Sequence, residues 1–146
     1  MPATRDDFQR WLFDMDDSLE ELFAYLPADV ALAMDYTIDS LEAIEKWLLS
    51  KYETHQQVKG DAEVLDMLSR YVGETIRKVC GGSWDIEQTN EKNAFYRIPV
   101  IKKPGAFAEC PVTLVTASLD RRRGDYIAKV VRAMLKRFGP GTSEVP

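Results

Sequence analysis

The sequence contains few histidine and cysteine residues, the side chains that metal sites and nucleophilic catalysis often use. Its 146 residues contain one histidine, His55, and two cysteines, Cys80 and Cys110. A single histidine excludes a histidine-rich zinc centre and any two-histidine mechanism. The cysteines are 30 residues apart with no CxxC pair. We therefore expect two reduced, partly buried thiols, with a disulfide as the alternative.

Long apolar runs and a glycine-rich phosphate loop are also missing. No apolar stretch approaches the ~20 residues that a membrane span needs. The first residues lack the basic and apolar regions of a signal peptide, so we expect a cytoplasmic protein. Gly81-Gly82 follows a predicted helix and precedes a predicted strand, which is the reverse of the phosphate-binding order.

Charge is unevenly distributed along the chain. Residues 1–66 hold 16 acidic and 5 basic side chains, whereas residues 67–146 hold 8 acidic and 14 basic ones. Leaving the two halves apart would forgo their attraction, so we expect them to meet within the fold or across a dimer. The net charge of −5 argues against a nucleic-acid-binding protein.

Hydrophobic periodicity predicts a helix-dominated α+β domain over residues 1–146, with 139–146 as a frayed tail. Three N-terminal helices are expected, then a β-hairpin near 83–101, then one or two C-terminal helices. The helices are predicted at about 4–26, 38–52, 61–80 and 126–138. Residues 111–119 fit a helix beginning at Pro111 or a strand, and we favour the helix. In the hairpin, a loop at 89–93 joins strands at 83–88 and 94–101. Pro99 suggests that the second strand is an edge strand or pairs on one side only at that point.

Three stretches together carry a resemblance to a known family. They are Asp35–Leu41 with Glu45–Leu48, Tyr71–Arg77 with Gly81–Trp84, and Cys110–Asp125. In these stretches, over about residues 30–130, the chain resembles a family of small uncharacterised bacterial proteins, actinobacterial and similar. The resemblance implies a bacterial cytoplasmic protein of this organisation, and it implies no activity, cofactor or catalytic residue.

Elimination and charge favour a non-enzymatic protein-binding module, similar to an immunity or adaptor protein. An acidic N-terminal surface would attract a basic protein partner, and formation of a homodimer is left open. The arginine run could bind a phosphate or an acidic surface. The candidate binding residues are Asp14, Asp17, Glu21, Arg121, Arg122 and Arg123. No cofactor and no membrane contact are expected.

The alternative is a metal-dependent hydrolase of the nucleotide type. Glu42 and Glu45 are three residues apart on one predicted helix, as are Glu63 and Asp66 on the next. Residues with this spacing share a helical face, so two packed helices could direct four carboxylates at Mg²⁺. Surface ion pairs at i,i+4, namely Glu42–Lys46, Asp66–Arg70 and Glu74–Lys78, would explain these acids without a metal.

One glycine inside a predicted helix also calls for an explanation. Gly73 costs ~1 kcal/mol of helix propensity relative to alanine. We expect another element, such as the hairpin, to approach the helix at this position, with Glu74 partly buried beside it.

Overall fold

The computed structural model describes residues 4–141 and begins with three short helices, α1 (Arg5–Phe13), α2 (Met15–Tyr25) and α3 (Ala28–Leu32). The single helix expected at 4–26 is therefore wrong in one respect. It is interrupted at Asp14, whose ψ of 4° departs from helical geometry. Each segment still buries an apolar face, because Trp11 and Met15 on either side of the break are both in the core.

The next two long helices lie where the sequence predicts them. They are α4 (Ile38–Lys51) and α6 (Ala62–Cys80). Thr37 caps α4 by accepting a hydrogen bond from the Ser40 amide at 3.2 Å. Between them, residues 53–60, which lie outside the predicted helices, contain the short helix α5 (His55–Lys59), capped by Thr54.

A small antiparallel sheet follows, with β1 (Ser83–Asp85), β2 (Val100–Lys103) and β3 (Phe107–Glu109) in that spatial order. Trp84 lies opposite Ile101, so the predicted pairing of the two hairpin strands is confirmed. The strand boundaries are corrected, since β2 begins at 100 rather than 94. It is also the central strand rather than an edge, because Pro99 precedes it and β3 covers its other side.

Residues 86–99 leave the sheet because their side chains provide local hydrogen bonds to the backbone. The Glu87 carboxylate accepts from the amides of Thr89 and Asn90, and the Asn93 side chain accepts from the Phe95 amide. Such turns compete with the ladder of a sheet. Arg97 also has a φ of 60°, which a regular strand does not allow.

The chain ends in two helices, α7 (Pro111–Arg121) and α8 (Tyr126–Phe138). Pro111 occupies the first turn of α7, so the helical alternative for 111–119 is confirmed. The helix-dominated α+β prediction is likewise confirmed. Of the expected frayed tail, residues 142–146 lie outside the described residues. Within residues 4–141, no helix has the length and apolarity to span a membrane.

Helix α6 runs through the core and packs against α2, α7 and α8. Its Tyr71 is wholly buried, and the hydroxyl accepts from the Tyr36 amide at 3.0 Å and lies 2.6 Å from the Ser40 hydroxyl. Burial raises the pKa of Tyr71, so it remains a neutral phenol. Cys80 and Cys110 are buried free thiols, as expected, and burial raises the pKa of both.

Gly73 is the point where the sheet contacts α6. A β-carbon built at this position would lie 2.1 Å from Cη2 of Trp84, closer than any real contact. The indole is fixed by a 2.8 Å hydrogen bond from Nε1 to the Glu74 carboxylate and by an edge-on contact with Trp11 at 4.8 Å. The close-packing role expected of Gly73 is confirmed.

Gly73→Ala is expected to lower the free energy of unfolding by about 1–3 kcal/mol, despite the higher helix propensity of alanine, because the methyl group displaces Trp84. Urea unfolding measures the change. Gly60→Ala is the matched control, since its β-carbon meets nothing closer than 3.4 Å. In a Trp84→Leu background the cost of Gly73→Ala should shrink, and an equal cost in both backgrounds would contradict this assignment.

Candidate functional site

Glu45 is the most deeply buried charged side chain of the expected metal quartet, and it serves as a helix cap. It lies on α4 with no exposed surface. Its two carboxylate oxygens accept from the amides of Tyr126 and Ile127, at 3.0 and 2.8 Å. These amides belong to the first turn of α8, where helix N–H groups lack partners and the helix dipole favours a negative charge. Asp125, the residue directly before α8, makes no such bond.

Arg122 makes the reciprocal contact. It has a φ of 50°, the left-handed conformation in which α7 ends. Its guanidinium donates to the carbonyls of Leu49, Tyr52 and Glu53, at 2.9, 3.2 and 2.8 Å. A cation at the carboxyl end of a helix is favourable, so Arg122 caps α4. This candidate binding arginine is therefore engaged inside the fold.

The four acids of the hydrolase alternative do not converge. Glu42 pairs with Arg132 at 3.0 Å, and Asp66 accepts from Trp11 Nε1 and from Arg70 Nε, both at 2.8 Å. Glu63 is exposed beside a shallow groove between α2 and α6. In the part of the chain that the structure describes, no three His, Cys, Asp or Glu side chains are grouped to hold a metal.

The cap assigned to Glu45 leads to a stability prediction. Glu45→Ala leaves two buried amides without partners and should lower the free energy of unfolding by about 1–3 kcal/mol. Glu45→Gln keeps one acceptor oxygen and should cost less than the alanine variant. Glu42→Gln, which removes only a half-exposed ion pair, should cost under about 1 kcal/mol by the same thermal or urea melts. Equal costs for Glu45→Ala and Glu42→Gln would refute the cap.

The engaged carboxylates also predict the response to metal. Millimolar Mg²⁺ or Mn²⁺ should leave the melting temperature unchanged, because Glu45, Asp66 and Glu42 already have protein partners. Differential scanning fluorimetry measures the shift. A saturable rise that Glu63→Gln and Asp66→Asn abolish would restore the hydrolase alternative.

The acidic and basic halves of the chain meet within the fold, as expected. Arg132 on α8 pairs with Asp39 and Glu42 of α4, at 3.1 and 3.0 Å. Of the three expected i,i+4 pairs, Asp66–Arg70 is present among the described residues. Glu42 instead pairs with α8, and Glu74 pairs with Arg77 at i,i+3.

The N-terminal acids are different, because they have no such partners. We call Asp14, Asp16, Asp17, Glu20 and Glu21 the acidic ridge; apart from Asp14, at the junction with α1, they lie on α2. All but Asp14, which is half-buried, are exposed. Across residues 4–141, none of the five forms an ion pair, and neither do the neighbouring acids Asp6 and Asp7.

Beside the acidic ridge lies an open cavity of about 380 Å³ between α2, α6 and β1. The apolar side chains of Leu12 and Met15 line it together with Asp16, Arg77 and the Trp84 indole. Phe13 stands at its edge with 87% of its surface exposed. The cavity thus combines apolar walls with a free carboxylate next to an exposed aromatic side chain.

The other two arginines of the run lie along a second groove, at the junction of α7 and α8. Arg121 stacks on the Tyr126 ring, with its guanidinium carbon 4.8 Å from the ring centre. Arg123 pairs with Asp125 at 3.2 Å, with 50% of the Arg123 side chain and 38% of the Asp125 side chain exposed. The three consecutive arginines therefore do not act as one cluster, since Arg122 is held by α4.

Comparison of the chain with protein-family models, with curated proteins and with solved structures finds no match. The resemblance to the bacterial family accordingly stays a prediction. Two surfaces remain as candidate binding sites: the acidic ridge with its adjacent cavity, and the groove at the junction of α7 and α8.

Proposed function

We propose that this chain is a non-enzymatic protein-binding domain, of the immunity or adaptor kind, that captures a basic protein on its acidic ridge. The observation that carries the proposal is the set of five acids at 14–21 that lack ion-pair partners within residues 4–141. Several acids elsewhere in the fold are neutralised, as Asp39, Glu42 and Asp66 illustrate.

Uncompensated charge of one sign on one helix acts over a distance. Such a surface attracts a cationic partner before contact and can raise the association rate by one to three powers of ten at low salt. It costs stability through repulsion between neighbours, for example Asp16–Glu20 and Asp17–Glu21 at i,i+4. A binding role gives a reason for that cost.

Phe13 offers the partner an apolar contact in addition to the charge of the acidic ridge. An aromatic side chain that is 87% exposed contributes nothing to the core, whereas aromatic anchors dominate the energetics of many interfaces. It stands where the acidic ridge meets the cavity, so a partner touching the ridge also reaches Phe13 and the Trp84 wall. We infer that the partner presents basic side chains around an apolar depression.

The proposal includes a bacterial cytoplasmic setting. Two buried free thiols fit a reducing compartment, where disulfides are rare. A basic nuclease or a basic scaffold protein would satisfy the charge requirement equally. The acidic ridge also gives no support for a homodimer through this surface, since two copies facing each other would place like charges together.

Photo-crosslinking tests the surface and identifies the partner in the cells that make the protein. Benzoyl-phenylalanine replaces Phe13 in one variant and Leu32, which is equally exposed at 87%, in the control. We expect a cross-link to one basic protein from position 13 and not from position 32. The absence of a position-specific product, or an acidic protein as the product, would contradict the proposal.

The purified partner then measures the contribution of the acidic ridge. The triple variant Asp16→Asn, Asp17→Asn, Glu20→Gln should slow association by about tenfold at low salt, with a smaller effect at high salt. The charge-matched control is Asp29→Asn, Glu53→Gln, Glu91→Gln, three exposed acids elsewhere in the fold. Equal slowing by the two triple variants would show that net charge, not the ridge, steers the partner.

A further inference from the structure

The basic side chains at the other end of the chain form a second surface that the proposed function does not use. Residues 121–137 contain seven arginines and lysines and one acid, Asp125, in a protein whose net charge is −5. Two of the seven are engaged with α4: Arg122 caps its carboxyl end, and Arg132 pairs with Asp39 and Glu42. A third, Arg123, pairs with Asp125 at 3.2 Å. Of the other four cations, Arg121 and Lys129 lie in the same groove as Arg123.

Arg121, Arg123 and Lys129 line one groove of about 300 Å³. Its remaining walls are Tyr126, Val130 and Ala133, and among residues 4–141 no carboxylate lines it. Arg121 is held in place by its stacking on Tyr126. Lys129 is exposed and forms no ion pair within residues 4–141.

We propose that this groove binds a short acidic peptide segment of another protein, with an apolar residue of the segment on Val130 and Ala133. Arg121 and Lys129 would pair with carboxylates of the segment next to that residue, while Arg123 keeps its own partner, Asp125. The domain then has two docking surfaces of opposite sign on different helices, α2 and α8. It would act as a connector between a basic and an acidic protein.

The lining favours a peptide over other anions. An apolar strip beside the cations gives nothing to a free phosphate, whereas a peptide side chain buries surface there. A nucleic acid carries dense charge along its whole length and would be repelled by the excess of acids elsewhere on the molecule. A segment of a few residues needs only the local positive field of the groove.

Fluorescence anisotropy with a labelled ten-residue peptide, glutamates flanking one central leucine, tests the groove at low salt. The full chain should bind it saturably, and a glutamine version of the peptide should not bind. Arg121→Gln with Lys129→Gln should weaken binding about fivefold, the effect of losing two solvent-exposed ion pairs. The matched control is Lys136→Gln with Arg137→Gln, which removes the same charge from the α8 region outside the groove.

Three other results would overturn the proposal that the groove binds an acidic peptide. Equal weakening by both double variants would overturn the proposal, because it would show bulk attraction without a site. Displacement by millimolar phosphate, or tighter binding of a twelve-residue oligothymidylate that the groove variants abolish, would overturn it in favour of another anion. The ridge variant Asp16→Asn, Asp17→Asn, Glu20→Gln should still bind the peptide, so failure of one surface does not imply failure of the other. Melting temperatures of all variants confirm that each is folded.

Discussion

The carboxylate of Glu45 holds the first turn of α8 against α4, and the position of the basic groove beside α8 follows from this contact. A buried carboxylate is costly unless its oxygens are satisfied, and here the two accept from consecutive backbone amides. Arg122, in the connection between α7 and α8, caps the carboxyl end of α4. Glu45 thus ties the middle of α4 to the first turn of α8, and Arg122 ties the carboxyl end of α4 to the connection before α8. In this arrangement Arg132 of α8 reaches Asp39 and Glu42.

The residues within 35–48, 71–84 and 110–125 serve mainly to assemble this framework. Tyr71 joins α6 to the segment before α4, and Gly73 admits the indole of Trp84. Glu45 and Arg122 connect α4 with α7 and α8. The acidic ridge at 14–21, by contrast, lies outside residues 30–130. The framework and the proposed binding surface are therefore carried by different parts of the chain.

Helix positions were predictable where apolar residues recur with a regular helical period and a helix-ending residue such as glycine follows them. α8 runs from Tyr126 to Phe138 as predicted, because a regular stripe ends at Gly139. The loop at 86–99 was not predictable from alternation, since side chains such as Glu87 and Asn93 supply competing hydrogen bonds. β3 was missed because three residues are too few for a period to be visible.

The candidate site was harder to predict than the fold for a physical reason. Acid spacing on a helix does not show which face is buried, and the partners of Glu45 are backbone amides that any sequence provides. One signal was present: Glu45 is four residues after Leu41 and one after Ile44, so it falls on the apolar stripe of α4. A carboxylate on a buried stripe must find internal donors, which argues for a structural role before a catalytic one.

The same backbone contact has an evolutionary consequence. Because Glu45 is bound by main-chain N–H groups, substitutions at positions 126 and 127 that keep the helix leave its partners in place, and no change there could compensate for losing the acid. Position 45 should therefore be invariant among relatives without covarying with any position of α8. Coevolution methods, which infer proximity from paired changes, would be blind to the contact that sets the α4–α8 geometry.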